Sequence, residues 1–190
     1  MVLTLNRRKG NPGVIVPKIA PISGRYYGQR TLYGGTAGTT ALAANVLYAL
    51  PVCFPTSFTA DQIALNVTVA ASAGKLLRLG LYAATAAGLP GVLLADSGAL
   101  AADTAAPFAA AATISQAIVA GTLYWLAVAS DGAPTVTSTT TAVAQLGADT
   151  AAAGLYGGVL RVFTYGALPT PWGTHSGYST ALANILLRAV

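Results

Sequence analysis

The sequence predicts an all-β chain: an antiparallel β-sandwich preceded by an extended, basic N-terminal arm. Three observations predict it. Leu77, Leu79 and Leu81 alternate with Arg78, Gly80 and Tyr82, the period of two expected of a half-buried strand. Gly88-Leu89-Pro90-Gly91 and Asp96-Ser97-Gly98 punctuate the chain at hairpin spacing, and Leu123-Tyr124-Trp125-Leu126-Ala127-Val128-Ala129 adds an aromatic strand closed by Ser130-Asp131-Gly132. Six of the ten basic residues (Arg7, Arg8, Lys9, Lys18, Arg25 and Arg30) fall within residues 1–35, where no acid occurs.

Taken in order, residues 1–35 are predicted to be an anchoring arm and residues 36–190 the sandwich domain. Pro12, Pro17 and Pro21 with Gly13 exclude a long helix from the arm. Val14-Ile15-Val16 suits a short strand. The arm has too few large apolar groups to offset its own ordering entropy, so it is expected to order against a partner. Gly34-Gly35-Thr36-Ala37-Gly38 reads as the hinge. Strands are then expected at 39–43 and at 46–54, the latter placed near an edge by Pro51. Ile63, Leu65, Val67 and Val69 alternate with Ala64, Asn66, Thr68 and Ala70 to give the cleanest strand. Pro90-Gly91 suits a type II turn with Gly91 at positive φ, and 92–95 resumes the sheet.

The alanine-rich stretch 99–112 reads poorly as a helix, because Pro107 interrupts it and caps are missing. Residues 113–119, 135–145, 159–165 and 183–190 supply further strands, for eight to ten in all. Leu-Tyr recurs at 32–33, 47–48, 81–82, 123–124 and 155–156. In a strand the two side chains take opposite faces, and leucine inward with tyrosine outward is the expectation.

Composition bounds the chemistry. Charged residues make up 8% of the chain, against about 25% in an average protein. A surface this neutral suits one covered by copies or partners; an alanine-biased genome is the other source of low charge. There is no run of about 18 apolar residues to cross a membrane. The first residues lack the apolar stretch of a secretory signal, so synthesis in the cytoplasm is expected, with exit only inside a larger particle. Cys53 is the single cysteine, which rules out a disulfide within the chain and reads as a small buried hydrophobe.

One histidine, His175, and five aspartates (Asp61, Asp96, Asp103, Asp131, Asp149) are all the acids and bases available for catalysis, since glutamate is missing. Asp96 and Asp131 precede glycines, where aspartate forms turns. No spacing suggests a nucleophile with its base, paired carboxylates, a zinc cluster or a calcium loop. No catalytic residue, cofactor or metal site is predicted.

Two candidate binding regions remain. Arg7, Arg8, Lys9, Lys18, Arg25 and Arg30, with Tyr26, Tyr27 and Tyr33, form a partner-docking arm. Docking on an acidic protein surface is favoured over phosphate and base contacts with nucleic acid. The Pro/Gly loop 169–178 brings together Trp172, His175 and Tyr178, a set able to stack on and hydrogen-bond a glycan. The reading preferred for Trp172 is a plug over one end of the sandwich.

The segments Leu77-Arg78-Leu79-Gly80-Leu81-Tyr82, Gly88-Leu89-Pro90-Gly91, Leu94-Ala95-Asp96-Ser97-Gly98, Thr113-Ile114-Ser115-Gln116 and Gly121-Thr122-Leu123-Tyr124-Trp125-Leu126-Ala127 together resemble a jelly-roll module of virion structural proteins of tailed bacteriophages. The resemblance spans roughly residues 40–190. It implies a jelly-roll-like sandwich on the particle surface, in a capsid decoration or tail/baseplate fibre protein, commonly a homotrimer. The implied partners are sister copies and major capsid or tail/baseplate proteins, and the arm becomes the attachment segment. The alternative role is a carbohydrate-recognising, receptor-binding tail protein.

Overall fold

Two antiparallel sheets stack face to face, and a loop forms a third layer over one of them. The computed structural model describes residues 20–33, 36–139, 157–179 and 183–190. In chain order the strands are β1 (Tyr26–Gly28), β2 (Ala37–Ala41), β3 (Val46–Cys53), β4 (Phe58–Val69), β5 (Leu76–Ala84), β6 (Pro90–Asp96), β7 (Leu100–Ala101), β8 (Ala106–Ile118), β9 (Leu123–Ser130), β10 (Thr135–Thr139), β11 (Gly158–Val162), β12 (Gly177–Ser179) and β13 (Leu186–Ala189). A single five-residue helical turn, α1 (Gln29–Tyr33), follows β1.

One sheet is built around β4. Its first edge pairs with β8 along most of its length, and its second is shared by β13 and β10, which carry β1 and β2 outside them. The other sheet runs β12-β11-β3-β9-β5-β6, with β7 also on β5. The long edge strands are bent: the β4/β8 register shifts at two places, and so does the β5/β6 register.

The alternation read from the sequence places the core. Ile63, Leu65 and Val67 of β4 meet Leu77, Leu79 and Leu81 of β5, Leu50 and Val52 of β3, and Leu126 and Val128 of β9 between the sheets. The alanine-rich stretch is a strand, β8: its small side chains fit against β4, where Ala110, Ala111 and Ala112 face Leu65, Ala64 and Ile63.

Four expectations change. Residues 26–33 are not part of an arm. β1 pairs with β13, Tyr26 opposite Arg188 and Gly28 opposite Leu186, and Leu32 packs on the core. The arm boundary at 35 therefore moves back at least to residue 20, and residues 1–19 lie outside the described residues. The reason is non-local: the unpaired edge of β13 accepts β1, and the Thr31 hydroxyl caps the turn by accepting from the Gly28 N–H at 2.7 Å.

Second, Pro51 sits in a central strand. It is tolerated because β11 covers β3 only from Val46 to Ala49, so at Pro51 that side of the strand is open and the Gln29 amide donates to the Pro51 carbonyl (2.5 Å).

Third, the Leu-Tyr dipeptides do not share an orientation. Tyr48 and Tyr124 face the core while Leu47 faces outward, whereas Leu81 and Tyr82 match the expected sense; Leu155-Tyr156 lies outside the described residues. Fourth, positive φ falls on Gly88, not Gly91: Gly88 closes the hairpin (φ 78°) with its N–H on the Thr85 carbonyl, and Pro90 and Gly91 already belong to β6.

One ion pair staples the closing strand to β4. Arg188 donates from Nε and Nη2 to the two Asp61 oxygens at 2.8 and 2.7 Å. This hydrogen bonding holds the Asp61 carboxyl below the ordinary aspartate value of 3.8. A depressed pKa contributes stability above the unfolded value and loses it as the pH falls through the folded one. Asp61→Asn is expected to lower the thermal midpoint at pH 7 by a few degrees. The difference from wild type should shrink towards zero as the pH drops below 3.8, read by thermal scans across pH 2–7.

Candidate functional site

The described aspartates are tied into the sandwich. Asp61 holds Arg188. Asp96 accepts from Arg78 Nη1 at 2.9 Å, from the Gly98 N–H at 2.8 Å and from the Leu168 N–H at 3.3 Å. Asp103 caps the Gly74 N–H at 2.7 Å, and Asp131 caps the Leu76 N–H at 2.7 Å with Lys75 4.0 Å away. Asp149 lies outside the described residues. Burial pushes the Tyr82 and Tyr165 phenols up, away from ionisation near neutrality. No group of three or more His, Cys, Asp or Glu able to hold a metal occurs among the described residues. No described helix is long and apolar enough to cross a membrane. Cys53 is half-buried at the end of β3.

The glycan set of the sequence does not assemble. Trp172 is 1% exposed and belongs to a second apolar cluster on the outer face of the β3/β9/β5 sheet. There it packs with Leu47, Ala49, Tyr82, Trp125, Ala127, Val159 and Leu168. Its ring meets Tyr82 edge-on at 5.1 Å. The loop is fastened by Trp172 N–H to the Gly91 carbonyl (2.8 Å), by the Tyr82 hydroxyl to the Pro169 carbonyl (3.0 Å), and by Arg161 Nη1 to the Trp172 carbonyl. Gly80 makes room: a Cβ there would lie 2.5 Å from Leu168 Cδ1. Trp172 is thus a plug, but over the outer face of a sheet and not at the end of the sandwich. His175 and Tyr178 remain neighbours, rings 5.4 Å apart, with Tyr178 52% exposed.

The predicted docking residues divide. Arg7, Arg8, Lys9 and Lys18 lie outside the described residues. Arg30 and Tyr33 fall in α1. Arg25 is exposed, and its carbonyl accepts from the Ala189 N–H at 2.9 Å. Tyr27 turns inward: its ring lies 6.3 Å from that of Phe58, and its hydroxyl accepts from the Ile22 N–H at 2.8 Å.

Tyr26 turns outward and finds a partner that sequence reasoning missed. Its ring stacks on Phe108 at 4.3 Å and 21°, and its hydroxyl donates to Gln62 Oε1 at 2.5 Å. Phe108 sits in a β8 bulge at φ 54°, a left-handed conformation rare for an aromatic residue, with its N–H donated to Asn66 Oδ1 at 2.7 Å. Phe108 keeps 38% of its surface exposed. The only sequence signal was Pro107 just before it, read as a helix breaker and not as the start of a bulge.

The outer face of the β4 sheet therefore presents a pinned aromatic pair beside the Gln62 and Asn66 amides and the Arg188/Asp61 ion pair. This surface adjoins β1, from which the chain runs back towards the basic residues before residue 20.

Two substitutions test these placements. Trp172→Ala is expected to cost about 3–5 kcal/mol in urea unfolding, whereas a surface tryptophan would cost close to nothing. Gly28→Ala is expected to loosen β1, because a Cβ there would press into the Ile185 carbonyl oxygen and lie 2.9 Å from Leu186 Cδ2. Faster amide exchange at residues 26–28, with β5 and β9 unchanged, is the signature. Compared with known proteins, the chain matches no family model and no curated protein.

Proposed function

We propose that the chain is a non-enzymatic structural protein of a tailed-phage virion, a capsid decoration or tail/baseplate fibre component. Its basic leader anchors it, and its sandwiches assemble as copies, a trimer being the state the family resemblance implies. The observation that carries this reading is the segregation of charge. The four described aspartates are occupied by hydrogen bonds inside the sandwich. Arg7, Arg8, Lys9 and Lys18 stand before residue 20 with no acid among them. Such a leader is an electrostatic tether with no internal counter-charge, suited to an acidic patch on a major capsid or tail/baseplate protein. The rest of the chain is close to neutral, as suits a body packed among copies.

Among the described residues Asp61, Asp96, Asp103 and Asp131 each accept hydrogen bonds that tie segments of the sandwich together, the pattern of a building role. The receptor-binding alternative no longer has Trp172 as its stacking platform.

Deletion of residues 1–19 tests the tether. The truncated protein is expected to keep β1, unfold at the wild-type temperature within about 2 °C, and fail to incorporate when added to particles assembled without it. Incorporation at the wild-type level would end the anchoring reading. Wild-type incorporation should also weaken steeply between 50 and 500 mM salt.

A further inference from the structure

We propose that the outer face of the β4 sheet is a binding site for a neutral oligosaccharide, with Phe108 as its stacking platform. The inference stands apart from the anchoring role and replaces Trp172, His175 and Tyr178 as the sugar-contact set.

The first observation is conformational. A bulky residue in the left-handed region is strained and persists where its surroundings hold it. Phe108 is held by the Asn66 side chain, which accepts its N–H at 2.7 Å. A glycine or asparagine would take that backbone shape at little cost. The strained conformation instead places a ring on the face of the sheet, where 38% of the residue remains in solvent.

The second observation is rigidity. Tyr26 backs the ring in parallel at 4.3 Å and is itself pinned by its hydrogen bond to Gln62. An aromatic surface already fixed before binding loses little entropy when a ligand arrives.

The third is the chemistry around the rings. Gln62 and Asn66 use their carbonyl oxygens on Tyr26 and Phe108, which leaves their amide N–H groups for an incoming hydroxyl. Thr113, opposite Gln62 on β8, is exposed and adds a hydroxyl. Arg188 and Asp61 neutralise one another through two hydrogen bonds, so the charged pair beside the rings presents no net charge to attract an anion. An apolar ring face beside neutral donors matches a pyranose, which offers C–H groups on one face and hydroxyls around its rim. The rings, the two amides and the Thr113 hydroxyl are spread over β1, β4 and β8, which suits a chain of sugars more than a single one.

The test is NMR titration of the full-length protein with maltoheptaose, cellohexaose and chitohexaose, and with a heparin hexasaccharide as the anionic control. Amide shifts are expected at Tyr26, Gln62, Asn66 and Phe108 with at least one neutral chain, with little response to heparin. Phe108→Gly and Phe108→Asn remove the ring and relieve the backbone. Both are expected to melt at or above the wild-type temperature while weakening binding at least tenfold. A Tm drop of several degrees in both variants would mark Phe108 as a packing residue and overturn the proposal. So would silence towards all three neutral chains at millimolar concentration, larger shifts at these four amides with heparin than with any neutral chain, or unchanged binding by the variants. Particle incorporation is a separate readout, so failure here and failure of the anchoring role are told apart.

Discussion

Everything in this sandwich depends on β9 being buried on both faces. Tyr124, Leu126 and Val128 enter the core between the sheets, and Trp125, Ala127 and Ala129 face the other way into the second cluster. A strand without a polar face is stable only if something covers each side. The loop 163–173 is that cover, and its attachments follow from the need. Tyr82 reaches the Pro169 carbonyl, the Trp172 N–H donates to the Gly91 carbonyl at 2.8 Å, and Asn45 Oδ1 receives the Tyr165 N–H at 3.1 Å. The loop's peptide groups are met by the Tyr82, Asn45, Asp96 and Arg161 side chains and by the Gly91 and Asn45 carbonyls. That lets an apolar ring such as Trp172 reach the sheet without stranding its own peptide.

The sequence made the interior of both sheets legible and left the exterior obscure. The alternation at Ile63, Leu65 and Val67 and at Leu77, Leu79 and Leu81 survives into the core as read, because pleat geometry ties spacing directly to face. Alternation says nothing about what lies beyond the face turned away. The continuous apolar runs at Leu123–Ser130 and Val46–Cys53 were the available sign that the second sheet needed a cover. Read only as strands, they left Trp172 assigned to one end of the sandwich and not to the outer face of this sheet. The Leu-Tyr dipeptides misled for a related reason: a dipeptide contains no phase, and the pleat at Val46–Cys53 starts one residue out of step with that at Leu76–Ala84. Pairing of β1 with β13 joins residues at opposite ends of the chain, a contact with no local signature. The Tyr26 and Phe108 stack depends on a bulge, and bulges are set by register between distant strands.

The few charges show how a chain with little polar side-chain chemistry uses what it has. Asp96 alone serves Arg78, the turn at Gly98 and the covering loop at Leu168, so one carboxylate joins three segments. Asp61 joins the closing strand to β4 and leaves the aromatic face beside it electrically silent. With the described aspartates engaged within the sandwich, Arg7, Arg8, Lys9 and Lys18 have no acid among them in sequence, and the face beside Tyr26 and Phe108 carries a neutralised pair. The proposed tethering role and the proposed sugar-binding face both rest on that division.

The repeated register shifts along β6 and β8 have a consequence for life at high density. A straight, open strand invites a neighbour's strand to zip onto it, and crowded copies would then fuse into ribbons. Here the two longest borders are each kinked twice, and the other borders are only a few residues long. Were copies packed shoulder to shoulder, as the proposed role would require, such kinked borders would oppose their fusion.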